Sequence, residues 1–523
     1  MCSRAGARAV ARLAEPRPAV PPSPGRDSQS SSAALALILV GACGVRIFLA
    51  SRWSFFGDEV FSLRASLHGF THAWRASGED IHPPLYHLLL AAWLGVMGPW
   101  PEWRARLLSI AIGVCWPFLV HRIAREHLSR SGALVAATIV ALHPFAVQFT
   151  VPLRWYGAFA LLATLTTHLT ERVLRWGRRR DLALLSVTLV GAGWTHIFGW
   201  VLGLGVFAVV AIAGLHRPRD PDRIGLREIA LAALAVVAGW VPVFLLLGRR
   251  ILEGVPGLDR TGIRSGLVLK PAFLILALLA GQASYPTDVL TLVALFVCFA
   301  ALAAWAWRCR PHLSGGLGLV AQIPTLALVV FVVTDFSSPH YYLALLVPIA
   351  LLAGRLSEQR DPAARIAVLA FGAAGVVGLA HLLLGVQYQR EEFSDPWREV
   401  AEHARAAAGQ EGWVLTTHSS PRFYMGDSTH SAEVVRPADL ARAFAAMPVR
   451  TPQRIVAIIA PLSGALPELG AVARWLPDSL RARGYLAIRD TGMVRTDAPE
   501  LRRRFSNRPF PEFRVRELDW VRR

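Results

Sequence analysis

The sequence predicts a polytopic α-helical membrane protein, with about 11 to 13 transmembrane helices, that ends in a small soluble α/β domain. Three observations carry this reading. Of 523 residues, 54% are hydrophobic and only 17% charged, against roughly 25% charge in an average soluble domain. The chain therefore lacks the charge to solvate several soluble domains, and its mean hydropathy is +0.42. The apolar residues also cluster into runs that suit membrane spans, but only up to residue 387. Beyond it the texture changes to short mixed segments. The net charge of +19 is nearly all arginine, with Lys270 the only lysine, which fits a GC-rich, bacterial genome. These arginines punctuate apolar runs instead of forming one basic face, so nucleic acid is not expected as a partner. Cys2, Cys43, Cys115, Cys298 and Cys309 form no CxxC pair, and neither zinc nor a disulfide framework is indicated.

The elements follow in order. Residues 1–32 are rich in Arg, Pro and Ser and read as a disordered basic cytoplasmic tail. Ala33–Ala50 is long enough to span and has no small-residue cleavage site, so it reads as a retained anchor. Arg4, Arg8, Arg12, Arg17 and Arg26 precede it and place the N-terminus in the cytoplasm. The loop 51–82 is then external. Further apolar segments lie near 83–98, 105–122, 131–148, 155–171, 182–195, 197–214, 228–247, 267–284, 288–307, 316–334, 340–354 and 364–386. Arginine-rich loops separate some of them: His121–Arg130, Glu171–Asp181, His216–Arg227, Arg308–His312 and Arg355–Arg365. Keeping all of these inside requires an odd number of crossings before His121. Pro83–Gly98, short and opened by two prolines, is therefore expected to be re-entrant or interfacial, and 267–284 falls under the same argument. Either count puts the C-terminus outside. Arg249–Lys270 departs from the charge rule, being basic yet external, and could meet an anionic substrate.

Within the tail, 388–523, Asp395–Ala408 reads as an amphipathic helix with Trp397, Val400 and Ala401 on one side. Trp413–Thr417 and Arg454–Ala460 read as buried strands, Pro477–Arg483 as a helix and Gly484–Arg495 as a strand. This alternation predicts an extracytoplasmic α/β domain. It holds no Gly-rich phosphate loop, and no internal repeat is evident along the chain.

The first external loop carries Phe55-Phe56-Gly57-Asp58-Glu59. A carboxylate flanked by aromatics at the membrane surface can accept the proton of an incoming hydroxyl. Equally, it can be a solvated acidic pair or a helix start with Asp58 as N-cap. Next, Asp80-Ile81-His82-Pro83-Pro84-Leu85-Tyr86 places an imidazole and a phenol at the outer end of a short apolar helix. The proline pair by itself is ordinary in a first helical turn. Arg154-Trp155-Tyr156, Thr195-His196 and Ser338-Pro339-His340-Tyr341-Tyr342 interrupt apolar runs. Each alone reads as an interfacial anchor, and Arg104 and Arg106 as snorkelling side chains. Together they fall on the same external side as Asp58, as one active site at a bilayer face requires. The candidate ligands Asp58, Glu59, His82 and His196 are scattered, so a divalent cation is compatible with the sequence but not implied by it. Serine-hydrolase and P-loop signatures are absent.

The motifs Asp58-Glu59, His82-Pro83-Pro84-Leu85-Tyr86, Arg106-Leu107-Leu108-Ser109, Arg154-x-Tyr156 and Thr195-His196, in that order, resemble the GT-C glycosyltransferases. The chain is most similar to the protein O-mannosyltransferase and lipid A aminoarabinose transferase group, which includes bacterial dolichyl-phosphate-mannose-protein mannosyltransferase-like members. The resemblance covers about 33–387, and the tail looks like the small soluble domain of many bacterial relatives. It implies inverting transfer of a sugar from a polyprenyl-phosphate donor to an acceptor hydroxyl on lipid, protein or polysaccharide, at the outer face of the inner membrane. Asp58 is then the base or acceptor-positioning group, with Glu59 beside it. His82 and Tyr86 would rim the site, and Arg106 and Arg154 would be structural or donor-phosphate contacts. Tyr156, His196, His340 and Tyr341 complete the expected substrate-binding set. Two departures stand out: Val151-Pro152-Leu153 where relatives often carry an acidic residue or Gln, and His340-Tyr341 where many carry Arg-Tyr. Histidine is a weaker phosphate partner than arginine, and basic residues of Arg249–Lys270, Arg264 among them, are candidates to stand in. Two other classes compete: a transporter or flippase of lipid-linked sugars, and a non-catalytic scaffold binding cell-wall polymer through its tail. Polar islands at span ends and the lack of two related halves favour the enzyme.

Overall fold

The computed structural model describes residues 26–79, 82–215, 224–253, 269–284, 288–309, 339–385, 393, 395–426, 430–446, 454–459, 467–495 and 513–522. Asp80, Ile81, Arg264, most of Arg249–Lys270, the run 316–334 and Ser338 lie outside them. So do the tail 1–25 and much of the arginine loops at 216–227 and 308–312. The described residues fall into two units. One comprises 26–51 and 65–383, and the other joins 52–64 to 384–522.

The first unit is helical. In order it contains α1 (Arg26–Arg52), the end of α2 (Gly57–Leu67), whose greater part lies in the second unit, α3 (Phe70–Glu79), α4 (Leu85–Met97), α5 (Glu102–Ala124), α6 (Arg130–Leu142) and α7 (Pro144–Thr150). Then come α8 (Tyr156–Trp176), α9 (Arg179–Thr195), α10 (Phe198–Leu215), α11 (Leu226–Glu253), α12 (Leu269–Ala280) and α13 (Val289–Cys309). A 3₁₀ segment, Pro339–Leu345, leads into α14 (Leu346–Ser357), and α15 (Pro362–Leu383) closes the unit. Among the described residues six helices are long and apolar enough to cross a membrane, or seven if α6 and α7, bent by 52°, count as one broken span. The expected 11 to 13 crossings include the run 316–334, which lies outside the described residues, and several of the other apolar runs make short helices. At 1.5 Å per residue α4 and α12 are roughly 20 Å long, less than a hydrocarbon core of about 30 Å. α9 begins with Arg179, Arg180 and Asp181, which shortens its apolar part.

Two packing details fix the helix breaks. Leu169, Leu185, Leu189, Val206, Val236 and Trp240 form a core shared by α8, α9, α10 and α11. Within it α9 and α10 approach so closely that a Cβ on Gly199 would lie 2.3 Å from the Ala192 carbonyl carbon. The break after α7 is held differently. Arg46 of α1 is fully buried, and its Nε donates to Thr150 Oγ1 at 2.8 Å. Its Nη1 donates to the carbonyls of Ala141, at 2.8 Å, and Ala42, at 3.0 Å. A desolvated guanidinium needs such acceptors, and the Ala141 carbonyl lies in the last turn of α6, where intrahelical donors run out.

The second unit contains a five-stranded sheet. After α16 (Trp397–Ala408) come β1 (Trp413–Thr416), α17 (Ser419–Met425), β2 (Ser431–Glu433), α18 (Pro437–Ala446) and β3 (Arg454–Ile459). α19 (Pro467–Arg481), β4 (Tyr485–Arg495) and β5 (Phe513–Arg522) follow. The strand order is β2-β1-β3-β5-β4, with β1 parallel to β2 and β3, and β5 antiparallel to β3 and β4. Alternation sorts the core into two layers. Trp413, Leu415, Ile455 and Ala457 pack with Leu476, Leu480 and Trp520 on one face. Val414, Val456 and Ile458 pack with Trp397, Val400 and Ala404 of α16 on the other. Burial on both faces explains why these strands read as continuous apolar runs. The expected helix at Pro477–Arg483 is the end of the longer α19, which carries Pro477 inside it.

Candidate active site

In the helical unit, four interruptions of helical backbone bring distant residues together. His82 precedes α4, and Arg154 and Trp155 lie between α7 and α8. His196 links α9 to α10, and His340 and Tyr341 sit in the 3₁₀ segment. Irregular backbone at membrane depth is tolerated where protein buries it or where it lines a cavity. Trp155, 1% exposed, is the hub. It stacks on His196 with ring centres 3.8 Å apart and on Tyr341 at 5.6 Å. His82 lies 5.7 Å from Trp155, and its Nε2 accepts a 3.3 Å hydrogen bond from Arg154 Nη2. Arginine can only donate, so a neutral His82 carries its proton on Nδ1. His196 Nδ1 accepts from the Phe198 amide at 3.2 Å, which leaves its proton on Nε2. Tyr156 opens α8 and meets His340 at 4.6 Å, and His340 stacks on Phe149 at 5.1 Å. The Arg154 guanidinium lies 5.9 Å from the Tyr156 ring centre.

The chemistry of this group is definite. It offers one permanent positive charge, three imidazoles and a stack of flat aromatic faces. Such a group can hold an anion and, beside it, an apolar or sugar ring. Of the ten residues expected from the sequence, the structure joins His82, Arg154, Tyr156, His196, His340 and Tyr341. Tyr86 and Arg106 tie helices together. The Tyr86 hydroxyl is 2.6 Å from Ser109 Oγ on α5. The fully buried Arg106 donates from Nη1 to the Ala50 carbonyl at the end of α1, at 2.9 Å.

Asp58 and Glu59 belong to the second unit. Phe56 is the N-cap of α2, which puts Asp58 at its second position and Glu59 at its third. Glu59, 1% exposed, turns back so that Oε2 accepts from the Phe56 amide at 3.4 Å, the reach of a capping-box glutamate. Asp58, half-buried, therefore lies inside the first turn of α2 and not at the N-cap position that its sequence context also allows. The segment before α2 is seated on the α/β region. The Phe55 amide donates to the Tyr424 hydroxyl at 2.6 Å, and the Arg398 amide donates to Ser54 Oγ at 3.2 Å. Phe56 packs on Phe393 at 4.6 Å.

His418, directly after β1, completes this seat. Its ring stacks on Trp397 at 4.3 Å and 5°, and its Nδ1 accepts from the Ser420 amide at 3.2 Å. A Cβ on Gly57 would lie 3.5 Å from both Cε1 and Nε2 of His418. Burial pushes the imidazole down to about 4, against the opposing pull of the Asp58 charge. The ring is therefore neutral, with its proton on Nε2, at the edge that faces the start of α2. Sequence reading passed over His418 and Tyr424. The signal available was position, since functional groups in α/β sheets gather past the carboxyl ends of parallel strands. Among the described residues no group of three His, Cys, Asp or Glu side chains could hold a metal ion.

Residues 81–243 match the family model for dolichyl-phosphate-mannose-protein mannosyltransferase, a stretch that runs from His82 past His196. No curated protein sequence matches the chain. Among solved structures it is similar to apo ArnT from Cupriavidus metallidurans. The identity is 13% and the TM-score 0.53, over 94% of this chain and 98% of that one. It is similar to the same protein bound to undecaprenyl phosphate, at 14% identity and TM-score 0.55, over 93% and 98%. With an ordered motif series, a family-model match and this fold in agreement, the chain is a multi-pass membrane protein of the GT-C glycosyltransferase fold, resembling the protein O-mannosyltransferase and lipid A aminoarabinose transferase group.

Proposed function

We propose that the chain is an inverting glycosyltransferase that moves a sugar from a polyprenyl-phosphate donor to an acceptor hydroxyl at the outer face of a bacterial inner membrane. One observation supports this most: His82, Arg154, His196, His340 and Tyr341, far apart in sequence, gather around Trp155 with a fixed cation among aromatic faces. The solved ArnT complex with undecaprenyl phosphate adds support from a protein of the same fold.

In the proposed reaction the acceptor oxygen attacks the anomeric carbon while the bond from that carbon to the phosphate oxygen breaks. Polyprenyl phosphate leaves with the bonding pair, and the acceptor proton passes to the Asp58 carboxylate. Attack opposite the leaving group inverts the anomeric centre. Arg154 neutralises charge growing on the phosphate, helped by His340, a role suited to a guanidinium that stays protonated. Tyr341, half-buried and backed by Trp155, offers a face for the sugar ring. Glu59 holds the first turn of α2 in place. The sugar and the acceptor class are left open by this chemistry.

The test is turnover of radiolabelled undecaprenyl-phosphate sugars, mannose and aminoarabinose first, by the purified full chain in lipid nanodiscs. Release of undecaprenyl phosphate with labelled product is the expected result. Asp58→Asn should lower it by about 10³-fold, within the range that general-base catalysis supplies, with normal membrane insertion. Donor that crosses the bilayer without cleavage would point to a flippase and overturn the reading.

A further inference from the structure

The seat of α2 on the α/β region has a consequence for catalysis. We propose that His418, a residue of the C-terminal region, is a positioning residue for Asp58: its Nε2–H edge packs against the first turn of α2 and holds the carboxylate in the orientation that accepts a proton. The proposal rests on reading Asp58 as the base.

Geometry carries it. The imidazole is held on two sides that do not involve α2. Its face stacks on Trp397 and its Nδ1 accepts from the Ser420 amide. That amide bond uses up the Nδ1 lone pair, so the proton of the neutral ring is on the other nitrogen. Nε2 and Cε1 are the atoms closest to Gly57, the residue before Asp58. Measured from the position a Cβ would take on Gly57, the ring edge lies at ordinary van der Waals distance, which puts it beside the first turn of α2. The Asp58 charge acts on His418, so the two side chains share one electrostatic environment. The anchors on either side, Tyr424 on the Phe55 amide and Glu433 on Arg64 at 3.6 Å, hold α2 and its approach through other residues than Gly57 and Asp58. The His418 ring edge and, slightly farther off at 3.8 Å, the Ser419 hydroxyl are the groups that a Cβ on Gly57 would meet.

Two substitutions separate positioning from mere support. His418→Asn keeps an acceptor near the Nδ1 position, and with it the bond to Ser420, but removes the Nε2–H edge. His418→Gln places an amide donor near the Nε2 position. Hydrogen exchange on the full chain in nanodiscs reads the local effect without any substrate. In His418→Asn the amides of residues 57–62 should exchange about tenfold faster while those of β1 and β3 stay unchanged, and Gln should restore most of the protection. With undecaprenyl-phosphate mannose or aminoarabinose, whichever is turned over, Asn should lower kcat about 10- to 100-fold at constant donor KM, and Gln should recover most of it. Unchanged exchange at 57–62 in the Asn variant overturns the proposal, and so does faster exchange spread evenly over the sheet. Full kcat in His418→Asn beside a dead Asp58→Asn also overturns it. An active Asp58→Asn, in contrast, removes the reading of Asp58 as base, and the exchange result alone then decides whether His418 orders this turn.

Discussion

The two units of this protein build polar sites by opposite means. In the helical unit every residue of the aromatic and cationic group sits where a helix is broken or about to begin, against an apolar background. In the α/β unit His418, whose ring edge lies beside Gly57, follows a parallel strand, in a region where polar residues are common. Break geometry therefore sets the first site and sheet topology the second. The first needs close helix approach and buried hydrogen bonds to hold irregular backbone, while the second needs only the regular end of a strand. Disturbing the helical unit should cost activity through misplaced breaks, and disturbing the α/β unit should act through the seat of α2.

The sharpest test of the first half is Arg154. Arg154→Lys keeps the charge but loses the planar fork whose Nη2 reaches His82. A loss of about 10²-fold in kcat/KM for the polyprenyl-phosphate donor is expected, with unchanged thermal unfolding. Activity near wild type would show that point charge suffices and that the contact to His82 is incidental. A smaller effect is expected from Gly199→Ala. The new Cβ would fall 2.3 Å from the Ala192 carbonyl carbon, and backbone cannot yield as a flexible side chain can. Overpacking of this kind costs about 1–3 kcal/mol. Thermal unfolding in detergent should drop, and donor KM should rise because α9 and α10 separate at His196. A variant with unaltered stability would mean that the two helices are not held at this distance.

Much of the first site was legible because polar residues in apolar runs are conspicuous. His82, Arg154, His196 and His340 were found that way, and the structure places them in one group. Their partner Trp155 was not singled out, since an indole beside a membrane span reads as an anchor until its neighbours are known. Arg46 was hidden for a related reason: a lone arginine in a span looks tolerable by snorkelling, and only tertiary structure shows it clasping Thr150 and Ala141. In the α/β region β1, β3 and β4 were readable as apolar or alternating runs. The three-residue β2 and the charged β5 were not, because strand periodicity needs more residues or fewer arginines to register. His418 carried no compositional signal at all. Its importance comes from Gly57 and Trp397, neither of which is near it in sequence.

The smallest predicted effect concerns acid. His418 has its ionisation pushed down to about 4 by burial, from an ordinary value of 6.5. Above about pH 6.5 the ring is neutral in both folded and unfolded chains, and stability does not depend on pH through this group. Between 6.5 and 4 the unfolded chain binds a proton that the folded chain refuses, so stability falls as pH drops. Across that window the loss at pH 5 is on the order of 2 kcal/mol. Two other shifted groups of this unit titrate outside it. Asp439 is held below its ordinary 3.8, because the amides of Arg436 and Val435 outweigh the opposing effect of burial. Tyr485 is raised above 10 by burial. Hydrogen exchange of β1 and β3, corrected for intrinsic rates, should therefore quicken from pH 7.5 to pH 5. His418→Phe keeps the stack on Trp397 and removes both nitrogens, so it should flatten that dependence even though it loses the bond to Ser420. An equally steep dependence in the Phe variant would assign the acid sensitivity to other groups and separate the neutrality of His418 from the stability of its unit.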